Sequence, residues 1–178
     1  MTKTTLIIIS IFIILLMGSS YAYWNASSIS NKAYHYIHQV DLSLYTHRGV
    51  VSTLEKEVEE QRSVNEQIAA IDQIFAAGDE LSALAEYQEL LKQDPSNMEL
   101  LLRMGIIYLQ KEEYSLAQEH LSTVYGFKAS IFSMDAAWFL ALLNVKYEQW
   151  DNVKPLLQEI VDSRGNYHLQ AKELLNCL

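Results

Sequence analysis

Residues 98–121 read MELLLRMGIIYLQKEEYSLAQEHL, and this stretch decides the fold. Leu101, Met104, Gly105 and Tyr108 fall at helical spacing in its first half, and Tyr114, Ala117 and Leu121 in its second. Gly105 and Ala117 are small enough for two antiparallel helices to approach closely. Tyr108 and Leu121 are large enough to fill the space toward a neighbouring pair. One such pair leaves an apolar face open on either side, so it predicts further pairs stacked against it.

Both neighbours are present at a period of about 34 residues. Upstream, Gly78-Asp79 and the closing Asp94-Pro95-Ser96-Asn97 frame a first unit, 64–97, with Ala83 and Tyr87 at the small and aromatic places. Pro95 cannot continue a preceding helix and fixes the turn into the second unit, 98–131. A third unit, 134–166, follows a two-residue insertion and carries Leu140-Ala141, Trp150, Leu157 and Ile160. Residues 167–178, with Leu169, Ala171, Leu174 and Leu175 apolar, read as the helix that caps the array. Three positions depart from the pattern: Ile71 where a small residue is expected, Asn144 where an aromatic is, and Val153 where Ala is. Pro155 sits early in its helix, where a missing N–H does least harm.

From Val64 to Leu178 these residues resemble the tetratricopeptide repeat (TPR) family. The resemblance implies that the first helices of successive units line a concave surface for a peptide or partner helix. Carried over by position, that surface consists of Ile68, Asp72 and Phe75, then Leu102, Ile106, Leu109 and Gln110, then Trp138, Leu142 and Val145. The carboxylate clamp of the chaperone-binding members needs a Lys/Asn/Arg set. Here Ile68, Asp72, Arg103, Asp135 and Phe139 stand at those places, so no clamp is expected. An apolar or amphipathic helix suits the list better. The alternative is that these side chains complete the core or are covered by the segment before the repeats. With an open groove, Leu102→Glu with Ile106→Glu is expected to remove binding alone.

The N-terminus has its own signal. No charged residue stands between Lys3 and Lys32, and the run from Leu6 to Trp24 would make about 28 Å of helix. Residues 6–24 thus predict an anchor in membrane lipid within a segment 1–24, with Tyr21, Tyr23 and Trp24 at the far interface. The competing expectation is a signal peptide cleaved after Ser20-Tyr21-Ala22, giving a secreted protein. Either way the repeats are expected on the extracytoplasmic side, periplasmic in a Gram-negative cell, with the N-terminus cytoplasmic.

Between anchor and repeats, segment 25–63 places Ala33, Ile37, Val40, Leu44, Val51, Leu54 and Val58 at heptad positions, with His47 interrupting the seam. A parallel coiled coil over 33–58 would make a homodimer. A single amphipathic helix packed on the repeats is the favoured expectation, because Gly49 and His47 weaken so short a seam. The expected fold is therefore all-α: a transmembrane helix, a juxtamembrane helix, and about three TPR helix pairs with a capping helix.

Composition excludes several functions. A net charge of −9 over 178 residues gives no basic face for nucleic acid. One cysteine, Cys177, allows neither an internal disulfide nor a cysteine-rich zinc site. No nucleophile elbow, metalloprotease helix, phosphate loop or calcium loop is present. His35, His38 and Asp41 share a helical spacing, but surface histidines explain them more simply than a metal does. No enzyme and no cofactor are expected. The layout is similar to the TPR subunit associated with the Sec translocon, implicated in passing exported proteins to periplasmic chaperones. It also resembles the TPR module of cytochrome c maturation. The expected function is a membrane-tethered adaptor that binds other proteins, and the alternative is a structural subunit stabilising a larger membrane complex.

Overall fold

The computed structural model describes residues 12–21, 31–40, 42 and 55–178. Among them the chain is helical, with no strand: α1 (12–21), α2 (31–37), α3 (Glu55–Ala76), α4 (Glu80–Gln93), α5 (Met98–Gln110), α6 (Tyr114–Gly126), α7 (Ser133–Lys146), α8 (Trp150–Ser163) and α9 (His168–Asn176). From α3 onward each helix packs on the next, and α5 also touches α7 across α6. That is the sequential stacking of helix pairs, consistent with a TPR solenoid.

Three turns set the register. Helices α3, α5 and α7 each end in the same pair of bonds: Asp79 N–H donates to the Ile74 carbonyl, Glu113 to Tyr108 and Gln149 to Asn144. The preceding residues, Gly78, Glu112 and Glu148, close the inner bond to Phe75, Leu109 and Val145 and adopt φ of 87°, 60° and 55°. This Schellman arrangement demands a left-handed residue, which costs glycine nothing and costs glutamate strain. The turn positions are separated by 34 and then 36 residues, reproducing the two-residue insertion.

The small and large positions of the repeat bury as one would require of interlocking pairs. Ile71, Gly105 and Ala141 face the partner helices carrying Ala83, Ala117 and Val153, all buried. Tyr87, Leu121 and Leu157 follow one turn later and are buried as well. Each such aliphatic contributes about 1.5–3 kcal/mol relative to exposure. Helix α7 is buried nearly all round, as its run of Ala136 to Leu143 requires, and so it needs cover on every side. Between pairs, the Asn97 side chain accepts from the Glu99 and Leu100 N–H groups and caps α5. Pro155 lies at the sixth residue of α8, beyond the first turn, so it removes a bond the helix would otherwise make. In α9, Ala171 and Leu174 are buried while Leu169 faces solvent.

The N-terminal region departs from expectation. Among the described residues no helix is long and apolar enough to cross a membrane. Helix α1 is the described part of the run 6–24, whose remaining residues lie outside the described residues. Its side chains from Phe12 to Met17 are 48–69% exposed. A single helix over 33–58 does not form. Helix α2 stops at Ile37, and i→i+3 bonds from Gln39 to Tyr36 and from Val40 to Ile37 turn the chain away. Turning lets Val40 and Leu42, two residues apart, both pack on the core, which one helical face cannot offer. Leu44, His47, Gly49, Val51 and Leu54, and with them the coiled-coil seam, lie outside the described residues. Helix α3 opens at Glu55, so residue 64, where the first unit is expected to begin, falls inside a continuous helix.

Candidate protein-binding face

The ten positions expected to line a groove form three rows one repeat apart: Ile68, Leu102 and Trp138; Asp72, Ile106 and Leu142; Phe75, Leu109 and Val145. All three rows lie on α3, α5 and α7, and Gln110 ends α5. Eight of the ten are buried; Asp72 is partly exposed and Gln110 is exposed. Ile68, Leu102 and Ile106 complete the core between helix pairs. Trp138 stacks on Tyr167 from the turn before α9, ring centroids 5.3 Å apart and planes 9° from parallel. Phe139 meets the same ring edge-on at 5.7 Å. The aromatic platform at Trp138 is therefore already occupied by the cap.

Leu109 and Leu142 are different, because their cover comes from far away in sequence. Residues 31–42 lie across α5 and α7. Ala33 is fully buried, and Tyr36, Ile37, Val40 and Leu42 pack on the core. The Tyr36 hydroxyl reaches α9, 3.4 Å from both the Gln170 carbonyl and Glu173 Oε2. Burial, reinforced by the Glu173 carboxylate, pushes its pKa up to about 12, so it is a proton donor throughout the neutral range. Lys146 Nζ stands 3.4 Å from the Tyr34 hydroxyl and 5.2 Å from that ring's centroid. Partial burial acts to lower the Lys146 pKa, but hydrogen bonding to Tyr34 and Tyr114 outweighs it and leaves the ammonium above its ordinary range. A cavity of about 320 Å³ remains beneath this segment, bounded by Ile37, Val40 and Leu42 on one side and Leu109, Gln110, Leu142 and Lys146 on the other. The face accepts a helix, and its own chain fills it incompletely.

Arg103 is not available to a ligand's carboxylate. Its guanidinium donates to Asp72 Oδ1 and, at 3.1 Å, to Glu99 Oε1, and both Arg103 and Glu99 are buried. Asp72 also accepts the Tyr87 hydroxyl, whose pKa burial raises against the opposing charge of Arg103. One cation between two carboxylates is a structural network joining the first and second helix pairs. Asp135, at another clamp place, is buried and accepts from Asn166 Nδ2 at 3.3 Å. The clamp is absent for a physical reason: those places hold up the interior.

Elsewhere, His35 Nε2 is 3.0 Å from Gln39 Nε2 and the His38 ring meets Tyr34 edge-on at 4.2 Å, while Asp41 lies outside the described residues. The described residues contain no group of three or more metal-ligating side chains. Sequence reasoning missed Tyr34, Tyr36, Lys146 and Glu173 as face residues. Only the two tyrosines carried any signal, being large and partly apolar in an otherwise polar stretch.

A family model described as tetratricopeptide repeat matches residues 75–124, the segment from the end of α3 to most of α6. The match supports the TPR family and with it a role in protein–protein interaction. The TPR fold is typically a non-enzymatic scaffold, and nothing among the described residues shows catalytic activity. No match was found among curated proteins, and none among solved structures.

Proposed function

We propose that this chain is a non-enzymatic, membrane-tethered adaptor that binds a partner protein's helix on its α5–α7 face, on the extracytoplasmic side of a membrane. The observation that carries the binding role is the seating of residues 31–42 across Leu109 and Leu142, which amounts to a helix-in-groove contact made within one chain. The tether rests on the uncharged run from Leu6 to Trp24 and on the exposed apolar side chains of α1, which lipid would cover. Lys3 before the run and the distance to Lys32 after it favour an extracytoplasmic repeat domain. Clients of suitable chemistry are exported proteins in transit or the amphipathic helix of an immature cytochrome.

The test is a mild-detergent pull-down of the full-length, C-terminally tagged protein from its native membranes, read by quantitative mass spectrometry. It is run beside a Gln110→Glu, Lys146→Glu variant that alters the face without touching the core. Substoichiometric exported proteins or chaperones, lost in the variant, support the adaptor. A few membrane proteins recovered at near-equal amounts and retained in the variant would make the chain a fixed structural subunit instead. Recovery of the protein in the soluble fraction after alkaline extraction would remove the tether.

A further inference from the structure

We infer that residues 31–42 are a built-in ligand of the α5–α7 face, and that the external partner is an amphipathic helix of the same small–aromatic–aliphatic pattern which binds by displacing them. This rests on the proposed adaptor role and specifies both its partner and its control. Three observations support it. The contact has the anatomy of a recognition element, with one small residue inserted fully (Ala33), an aromatic with a polar tip that finds hydrogen bonds on α9 (Tyr36), and an aliphatic group at the next position (Ile37). The contact is nonetheless poorly filled, since a cavity of about 320 Å³ separates Ile37, Val40 and Leu42 from Leu109 and Leu142. Native interiors hold few voids larger than a water molecule, so this one forfeits dispersion contacts that a bulkier side chain would regain. Finally, the hydrogen bonds holding the segment are long, 3.4 Å at both Tyr36 and Tyr34, and exposed to competition from water.

Tethering makes so loose a contact persist. Twelve residues separate Leu42 from Glu55, and a short tether holds a segment near its site at an effective concentration on the order of 1 mM. A segment that binds as a free peptide with a Kd of about 10 μM would then occupy the face roughly 99% of the time, and an outside ligand would bind about 100-fold more weakly than to the open face. A partner helix with a larger side chain in place of Val40 or Leu42 gains the cavity and overcomes that handicap.

The test uses the full-length protein in detergent and a fluorescent peptide with the sequence of residues 31–42, NKAYHYIHQVDL. Binding is followed by anisotropy to the wild type, to Ile37→Asp, which unseats the segment, and to Tyr36→Phe, which removes only its hydrogen bonds. Circular dichroism checks that each variant is folded. Peptide affinity at least 10-fold higher for Ile37→Asp than for the wild type, with Tyr36→Phe between them, is the expected result. A peptide carrying Ile37→Asp should bind none of them. Equal affinity for wild type and folded variants overturns the built-in ligand, as does no peptide binding to any of them. A doubling of mass with concentration, lost in Ile37→Asp, would overturn it by placing the segment on a second copy. If Ile37→Asp does not fold, Tyr36→Phe decides alone, equal affinity again overturning the inference. Client capture in the pull-down is read separately, so the adaptor role can stand where the built-in ligand fails.

Discussion

Leu121 lies against Gly105 so closely that a β-carbon at position 105 would stand 2.8 Å from Leu121 Cγ and 2.9 Å from Cδ2. The two helices of the second pair meet here, and no side chain at 105 fits between them. Gly105→Ala therefore overpacks the interface and should cost about 1–3 kcal/mol, despite alanine's better helix propensity. In the Leu121→Ala background the same substitution should cost at least about 1 kcal/mol less. Urea melts of the four proteins measure this coupling. Additive losses would locate the clash elsewhere.

The left-handed turns make a second comparison possible. Glu112 at φ 60° carries a β-carbon where Gly78 has none. Glu112→Ala and Glu112→Gly both delete the exposed side chain and its 3.8 Å pairing with Lys146, but only glycine relieves the backbone. The glycine variant should be more stable than the alanine variant by about 1 kcal/mol, the usual cost of left-handed geometry in an L-residue. Gly78→Ala should lose a similar amount. Thermal midpoints of the three variants against the wild type check it.

How far the sequence reveals this molecule depends on the range of each interaction. The small and large positions at 71, 105 and 141 and at 87, 121 and 157 are repeated locally, so their period exposes the helix pairs. The turns repeat just as strictly, but glutamate replaces glycine at 112 and 148, and the composition signal of a left-handed residue disappears. The spacing of Ala33, Ile37 and Val40 correctly marks a buried stripe. Periodicity says that a face is buried without saying against what, and Tyr36 meets Glu173 across 137 positions. The same blindness affects Leu102 and Ile106. A groove reading expects their replacement by glutamate to remove binding alone, yet both are at most 1% exposed. Leu102→Glu with Ile106→Glu should instead abolish the cooperative unfolding transition, because two carboxylates cannot be buried unpaired. A normal melt for that double variant would refute the packing described here.

The network at Arg103 tests whether the clamp positions are structural. Arg103→Met keeps most of the volume but leaves Glu99 and Asp72 facing each other without the cation between them. Breaking a buried pair from one side costs about 3–5 kcal/mol, so the variant should melt well below the wild type. Adding Glu99→Gln should restore part of the loss by removing one of the stranded charges. If Arg103→Met is neutral in denaturant titrations, the guanidinium is not holding the first two helix pairs together.

His120 sets the onset of acid sensitivity. Its ring is half-buried and edge-on to Tyr108, centroids 5.3 Å apart, and burial lowers its pKa below the ordinary 6.5, against the weaker pull of Glu119. The unfolded chain therefore takes up this proton at a higher pH than the folded one does. The stability it confers is complete above about pH 6.5 and declines as pH falls from there toward the folded pKa, at no more than about 1.4 kcal/mol per pH unit. Asp79 and Glu159 also have lowered pKa values. Asp79 is held down by its hydrogen bonds from Ser82, and Glu159 by Lys128 and Tyr125 against the opposing effect of burial. Their contribution is present above the ordinary carboxylate range and is lost only as pH falls through their own depressed values, so it leaves the window near pH 6 to the histidine. Urea midpoints at pH 7.5, 6.5 and 5.5 should fall for the wild type and stay nearly level for His120→Gln. Parallel slopes for the two proteins would mean that another group governs the onset.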